Sequence, residues 1–426
     1  NGVRNTYRGG TGSGNVNVRC FSTIEEAFKA RNIKITTKQW LDKYDEIQSG
    51  RKKGFVKRIK KEAKKARTNA AVYSVGCTLE EGEYNVDYHT DAEVVIYVLS
   101  RIAGEGKDRE PIKGDFYLTD TEIKTINDLN EKHEKFLLVL NVVSPLDLSP
   151  ILGVRNILLL SQLGSLTSET LVDIVLGNKY PSGKLATTWA KLSDYPSYKN
   201  FGDINDTNYE EGIYVGYRYF DAFSIKPIFE FGYGLSYTDF DFKAINVSHN
   251  KDVISIDFKV TNIGDFRGKE VIQLYLKKPQ QKLDNPPQIL VNFKKTKELK
   301  PGENDLLSLS FKLSDFPNFD TVNNAYILQS GIYQISAGNS SRNLFDVCSI
   351  NLKDEIIVKK VKQIDDKPKF VELINPHRDV LNKLDINIDL SIEDFENAKI
   401  VKYLKYDVGV SSLIDKLTDE ELVLLS

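Results

Sequence analysis

Three apolar runs in the first half of the chain constrain its fold most strongly. They occupy residues 94–100, 136–140 and 157–160. A short apolar run without polar alternation is typical of a strand that is buried on both faces. Helix signals lie between and after these runs, since Thr119 and Glu122 form a capping box and Gly177 is a C-cap glycine. The alternation predicts an α/β sandwich domain with a mainly parallel sheet and helices on both faces.

Two further helical segments are predicted before the first apolar run. Ser22 and Glu25 have the spacing of a capping box, which predicts a helix from there to about Arg31. Residues 37–68 are polar and rich in lysine, and we expect them to form exposed helices.

The hydrophobic period changes after about residue 236. Short segments follow in which apolar and polar residues alternate, for example residues 254–260, 271–276, 306–311 and 331–335. Turn signals such as Pro301-Gly302 separate them. About seven such strands within about 115 residues are typical of an immunoglobulin-like or fibronectin type III-like sandwich.

These patterns divide the chain into five segments. We assign residues 1–222 to the α/β sandwich domain, 223–236 to a connecting loop, 237–352 to the fibronectin type III-like domain, 353–411 to a charged linker and 412–426 to the start of another domain. The last segment contains a capping box formed by Thr418 and Glu421, with no C-cap after it. A short terminal helix that docks on the body is the alternative interpretation.

Composition and charge exclude several classes of protein. No apolar run reaches the roughly 18 residues of a membrane span, and a net charge of −2 gives no basic field for nucleic acid. The three cysteines, Cys20, Cys77 and Cys348, suit neither a disulfide framework nor a four-ligand zinc site. The four histidines show no metal-ligand spacing. We therefore expect no metal or cofactor and no nucleic-acid or membrane partner; with no signal peptide visible, we expect a cytoplasmic location.

Two glycine-containing loops carry the candidate functional residues. Glu105 lies between two glycines directly after the run 94–100, and open α/β sheets bind ligands at the carboxyl ends of strands. Residue types alone leave two interpretations open, a general acid/base carboxylate or a solvated charged turn. The loop 9–14 is either a flexible turn or a backbone cradle that presents Ser13 to a polar ligand, because it lacks the lysine of a P-loop. Residues 141–147 follow the next strand end and are expected to line the same crevice.

Taken together, the motifs resemble glycoside hydrolase family 3, the β-glucosidase family. The matching segments are residues 9–14, 100–109, 114–118, 178–185, 214–221 and 231–237. The resemblance covers about residues 1–352 and implies a retaining mechanism with two carboxylates. It gives Glu105 the acid/base role, with Asp108 as the runner-up, and implies that Ser13 contacts the glycone sugar.

The resemblance also implies parts that this chain does not show. The family's nucleophile is an Asp in a Ser-Asp-Trp-like motif on a (β/α)8 barrel, and neither Trp40 nor Trp189 follows an Asp. Residues 417–422 resemble the first helix of that barrel. The implied member is therefore domain-permuted, with the barrel in the same polypeptide or in a companion chain. Residues 141–144 depart from the glycine that many members carry there, and we expect a reshaped rim loop.

The leading interpretation is an exo-acting retaining β-glucosidase that hydrolyses non-reducing terminal β-D-glucosyl residues of cello-oligosaccharides or aryl β-glucosides. A non-catalytic carbohydrate-binding or scaffold remnant is the alternative from a different class. The same chemistry on β-xylosides or N-acetylglucosaminides is a third interpretation, and formation of a homo-oligomer is left open.

Overall fold

The computed structural model describes residues 2–11, 14, 16–103, 109–196, 198, 205, 207–363 and 370–395. The candidate residues Ser13, Glu105 and Asp108 lie outside the described residues, and so does the predicted terminal segment 412–426.

The described residues contain six α-helices, fourteen strands and several short 3-10 helices. The α-helices are α1 (Ile24–Ala30), α2 (Lys38–Lys65), α3 (Ala70–Tyr73), α4 (Asp120–Lys132), α5 (Thr167–Val175) and α6 (Tyr217–Ala222). The strands are β1 (Val94–Ser100), β2 (Lys135–Asn141), β3 (Ile157–Leu159), β4 (Phe240–Asn250), β5 (Val253–Asn262), β6 (Val271–Lys277), β7 (Ile289–Lys295), β8 (Asn304–Lys312), β9 (Asn318–Asp320), β10 (Ala325–Leu328), β11 (Gly331–Gly338), β12 (Leu344–Leu352), β13 (Ile356–Lys360) and β14 (Asn387–Leu390). The 3-10 helices are Ser149–Ile151, Gly164–Leu166, Leu192–Asp194, Leu313–Asp315 and Ile392–Phe395.

The three apolar runs form the predicted parallel sheet, in the order β1-β2-β3. One face of this sheet presents Leu99, Leu138 and Leu140, which pack with Ile126 and Leu129 of α4. Because this face of the sheet is buried, its strands carry few polar residues.

The opposite face of the same sheet is covered by α1 and α5. Val98 and Val139 pack there against Ile24 and Phe28 of α1 and Leu171 of α5. Helices therefore cover both faces, as the alternation of strands and helices predicted.

The start of α1 lies one residue later than the predicted capping box. Thr23, rather than Ser22, is the N-cap, and its side chain accepts a hydrogen bond from the backbone N of Glu26 at 3.3 Å. The side chain of Ser22 instead donates to the carboxylate of Glu169 in α5. The prediction from Ser22 and Glu25 was wrong by one residue because this tertiary contact takes the Ser22 hydroxyl.

The lysine-rich segment is the long helix α2, as predicted, but one side of it is buried. The Tyr44 hydroxyl donates to Glu81 at 2.5 Å, and Gln48 Nε2 donates to the same carboxylate at 2.7 Å. Arg51 pairs with Glu81 as well, at 3.1 Å. Among the described helices, α2 included, none has the length and apolar character needed to cross a bilayer.

The second half of the chain is the predicted antiparallel sandwich. Its sheets have the orders β14-β12-β11-β6-β7, β4-β5-β8 and β13-β10-β9. Alternate residues of β5, among them Ile254, Ile256 and Phe258, are fully buried and meet Leu274 of β6 and Ile335 of β11. This alternation is what distinguishes the sandwich strands from the continuous runs of the parallel sheet.

Part of the predicted linker, residues 353–411, contributes strands to the sandwich. β13 pairs antiparallel with β10, and β14 pairs parallel with β12. Ile356, Ile388 and Leu390 join the core that the sandwich strands enclose.

We predict that Leu138→Ala lowers the free energy of unfolding by about 2–5 kcal/mol, because it empties a fully buried site between β2 and α4. Leu159→Ala, at a strand position that is 37% exposed, should cost about 1 kcal/mol or less. Urea denaturation followed by circular dichroism measures both variants. Equal losses would contradict the burial of β2 between two helical layers.

Candidate active site

The carboxyl ends of β1 and β2 bring the predicted loops together. Ser100 at the end of β1 pairs in register with Asn141 at the end of β2. The nearest described residues are 11 and 14 on the two sides of Ser13 and 103 and 109 on the two sides of Glu105, and their contacts show where the two loops join the sheet.

A direct hydrogen bond links the glycine-rich loop to the segment that follows β1. The backbone N of Thr11 donates to the carbonyl O of Ala103 at 3.3 Å. The backbone N of Gly164 donates to the carbonyl O of Arg8 at 2.9 Å and attaches the same loop to the segment after β3. The described ends of the two candidate loops are therefore neighbours at one edge of the sheet.

The side chain of Asn141 makes four hydrogen bonds that connect the segments at this edge. Its Oδ1 accepts from the backbone N of Tyr7 at 2.8 Å and from Ser100 Oγ at 3.1 Å. Its Nδ2 donates to the carbonyl O of Tyr7 at 2.8 Å and to that of Ser161 at 2.6 Å. The side chain is fully buried, and the four bonds use both of its donor hydrogens and both lone pairs of its oxygen.

The function of Asn141 was missed by sequence reasoning, which placed it only at the start of a rim loop. The sequence signal that could have identified Asn141 is its position as a polar residue at the end of an apolar run. Because Asn141 joins the N-terminal segment, β1 and the segment after β3, it sets the position from which both loops leave the sheet.

Arg101, the first residue after β1, forms a buried ion pair with α4. Its Nη1 and Nη2 donate to the two carboxylate oxygens of Glu122 at 3.0 and 2.6 Å, and its Nε donates to the carbonyl O of Asp115 at 3.0 Å. Burial lowers the pKa of the guanidinium, but the attraction of Glu122 offsets this and the pKa of Arg101 is raised. Glu122 also completes the predicted capping box with Thr119.

Arg109 lies on the other side of Glu105 along the chain and is tied to the same region. Its Nε donates to the carboxylate of Asp115, its Nη2 donates to the carbonyl O of Asp115 at 2.8 Å, and its Nη1 donates to Ser144 Oγ at 2.8 Å. Burial lowers the pKa of Arg109, and the pairing with Asp115 opposes that shift. Ser144 thus brings the loop after β2 to the same edge, as expected.

The charged groups described at this edge are arranged in pairs rather than as a metal site. Among the described residues, no cluster of three or more His, Cys, Asp or Glu side chains is suited to a metal. A large open cavity of the described part borders α2 and is lined by Asp45, Gln48, Ser49, Lys52, Lys53 and Val56. The strand-end edge can instead present loop side chains to a ligand from a rigid frame.

The aromatic segment 214–221 contacts the sandwich domain, whereas Leu235 and Tyr237 of the segment 231–237 are exposed. Tyr214 is fully buried, and its hydroxyl donates to Asp284 Oδ2 at 2.5 Å. Asp221 accepts from Arg342 Nε at 2.9 Å. These contacts join the α/β domain to loops of the sandwich, so the first of these aromatic segments connects the domains.

Both halves of the chain match known protein families. The family model described as the Glycosyl hydrolase family 3 C-terminal domain matches residues 2–237, and the Fibronectin type III-like domain model matches residues 270–341. Beta-glucosidase A of Butyrivibrio fibrisolvens is 34% identical over 321 residues, which cover 63% of this chain and 39% of that protein. Thermostable beta-glucosidase B of Acetivibrio thermocellus is 29% identical over 341 residues, which cover 74% of this chain and 44% of that protein.

Solved structures show the same similarity. Beta-glucosidase 3B from Thermotoga neapolitana in complex with α-D-glucose matches with a TM-score of 0.70 and 34% identity over 83% of this chain and 50% of that one. A beta-glucosidase from Paenibacillus barengoltzii matches with a TM-score of 0.72 and 31% identity over 85% and 40%. The chain thus spans less than half the length of the two curated relatives. These matches confirm the resemblance drawn from the motifs.

We predict that Asn141→Asp destabilises the α/β domain by about 2–4 kcal/mol, because a carboxylate oxygen would face the carbonyls of Tyr7 and Ser161 without a hydrogen to donate. Amide hydrogen exchange at residues 7–11 should become faster, since their anchor is lost. Asn127→Asp, which removes a solvent-exposed hydrogen bond from α4 to the carbonyl O of Pro150, is the matched control and should have a much smaller effect on both quantities. Unchanged exchange at residues 7–11 in Asn141→Asp would contradict the role of this amide.

Proposed function

The chain belongs to glycosyl hydrolase family 3, and from that premise we propose that it supplies the general acid/base of an exo-acting retaining β-glucosidase. Its proposed substrates are cello-oligosaccharides and aryl β-glucosides, from which it would remove the non-reducing terminal β-D-glucosyl residue. One observation carries the proposal. The chain is similar to beta-glucosidases across both of its domains, in sequence and in structure.

The proposed chemistry uses two carboxyl groups. Glu105 protonates the glycosidic oxygen while an Asp nucleophile attacks the anomeric carbon and the aglycone departs as an alcohol. Glu105, now a carboxylate, then takes a proton from water, whose oxygen displaces the Asp from the glycosyl-enzyme. The anomeric configuration is retained because both displacements invert it.

The contacts at the strand ends support placing Glu105 and Ser13 in one site. The hydrogen bond from Thr11 to Ala103 joins their two loops within a few residues of each candidate. We propose that Ser13 contacts the sugar on which Glu105 acts.

The ion pairs formed by Arg101 and Arg109 also fit a general-acid role for Glu105. A general acid needs a raised pKa, and a guanidinium that pairs with it would lower that pKa. Arg101 is held by Glu122 and Arg109 by Asp115. These two guanidinium charges, one on each side of Glu105 along the chain, are therefore balanced by other carboxylates.

The proposed Asp nucleophile lies outside residues 1–426. We propose that it lies on a (β/α)8 barrel in the same polypeptide or in a companion chain. The limited coverage of the relatives, 39% and 44% of their lengths, is compatible with such a division.

We predict that Glu105→Ala in the complete enzyme, barrel included, slows β-glucosides according to their leaving groups. Alkyl glucosides and cellobiose need protonation, so their kcat/KM should fall by about 10²–10⁴-fold. The 2,4-dinitrophenyl β-glucoside needs little protonation and should keep most of its kcat/KM. Azide should restore part of the lost kcat by attacking the glycosyl-enzyme directly, with β-glucosyl azide as the product.

Two matched variants complete this experiment. Asp120→Ala removes an exposed carboxylate at the start of α4 and should leave all rates near those of the unmodified enzyme. Asp108→Ala tests the runner-up acid. If Glu105→Ala slows good and poor leaving groups equally and azide has no effect, Glu105 is not the acid/base; if Asp108→Ala alone shows the leaving-group dependence, the role belongs to Asp108.

A further inference from the structure

Asp115 binds the chain on both sides of the segment that contains Glu105. Arg101 Nε and Arg109 Nη2 donate to the same carbonyl O of Asp115, at 3.0 and 2.8 Å. Arg109 Nε and the backbone N of Glu110 donate to its carboxylate, the latter at 2.7 Å. The two flanks of residues 102–108 are therefore attached to one residue.

The attachment is buried and directional. Asp115 is 6% exposed and Arg101 is 4% exposed, so water competes little for these hydrogen bonds. A guanidinium is planar and donates in fixed directions, so two contacts to one partner restrict its orientation as well as its distance. Exposed ion pairs at a surface do not restrict a loop in this way.

The position of Asp115 is itself fixed by the turn that carries it. Gly114 has φ +86, and a Cβ there would lie 1.8 Å from the carbonyl O of Glu81. The backbone N of Glu81 donates to the carbonyl O of Gly114 at 3.0 Å, and the N of Gly114 donates to the O of Tyr117 at 2.8 Å. Only glycine can hold this turn against residue 81, so Asp115 is a fixed anchor.

The loop that follows β2 is also connected to Asp115 and its turn. Ser144 accepts from Arg109 Nη1 at 2.8 Å, and the backbone N of Asp147 donates to the carbonyl O of Phe116 at 3.2 Å. The anchor therefore holds the segment after β1 in register with the loop after β2.

We propose that Asp115 is the positioning residue for Glu105, holding both flanks of residues 102–108 so that the acid/base carboxyl meets the glycosidic oxygen. This inference rests on the proposed acid/base role of Glu105. Proton transfer requires a heavy-atom separation of about 2.6–3.2 Å, and a misplacement of about 1 Å can cost about 100-fold in rate. Asp115 acts only through Glu105, so its effect must depend on how much protonation a substrate needs.

The test compares Asp115→Asn with the unmodified enzyme, in the complete protein. Asparagine keeps the size of the side chain but removes its charge and one acceptor, so Arg109 and Glu110 lose part of their anchor. We expect kcat/KM for cellobiose to fall about 10–100-fold, and that for 2,4-dinitrophenyl β-glucoside to change less than about 3-fold. Arg109→Lys, which loses the planar two-point contact, should show the same dependence more weakly and serves if Asp115→Asn folds poorly.

A double-mutant cycle with Glu105→Ala makes the test specific. If Asp115 acts through Glu105, adding Asp115→Asn to Glu105→Ala causes no further loss on cellobiose. Lys113→Gln is the matched control, because it removes an exposed ion pair with Asp120 from the same turn and should change no rate.

Two results would overturn the inference and are distinguishable from failure of the proposed function. Equal losses on both substrates, or losses that add to those of Glu105→Ala, would make Asp115 a purely structural residue while the acid/base role of Glu105 stands. Absence of any leaving-group dependence in Glu105→Ala would overturn the proposed function first, and this inference with it.

Discussion

The amide of Asn141 carries the hydrogen bonds on which the rest of the strand-end edge depends. It is buried at the carboxyl end of β2, where the strands stop and three separate segments must meet. An amide suits this position because it offers two donors and one oxygen with two lone pairs, and the backbone and Ser100 fill all four. A carboxylate would lack the donors, and an apolar side chain would leave the buried backbone groups of Tyr7 unpaired.

Two ion pairs connect the segments at this edge to the residues on both sides of the proposed acid/base. Arg101 with Glu122 and Arg109 with Asp115 are ion pairs with little exposure to water. Buried pairs of this kind add little net stability, because desolvation cancels much of their attraction. Their value here is geometric: each guanidinium reaches a partner from another segment, so the chain has one arrangement that satisfies both charges.

Much of the fold could be predicted from the sequence, because its signals are local. Continuous apolar runs predicted the parallel strands, and alternation predicted the sandwich. The motifs around Glu105 and Ser13 pointed to the edge where their flanks lie. The functions of Asn141 and Asp115 could not be predicted, since Tyr7 and Asn141 are 134 positions apart and meet only through the register of β1 and β2. The one-residue error at Ser22 has the same origin, a contact with distant Glu169.

The central proposal is that the carboxyl of Glu105 protonates the glycosidic oxygen of a terminal β-glucoside. The most direct measurement is a crystal structure of the complete enzyme with a sulfur-linked cellobioside, which binds like the substrate but resists hydrolysis. If Glu105 is the acid/base, one of its carboxyl oxygens lies within about 3–3.5 Å of the bridging sulfur, close to hydrogen-bond distance, and the Asp115 contacts with Arg101 and Arg109 are intact. A different carboxyl at that position, with Glu105 turned to solvent, would contradict it.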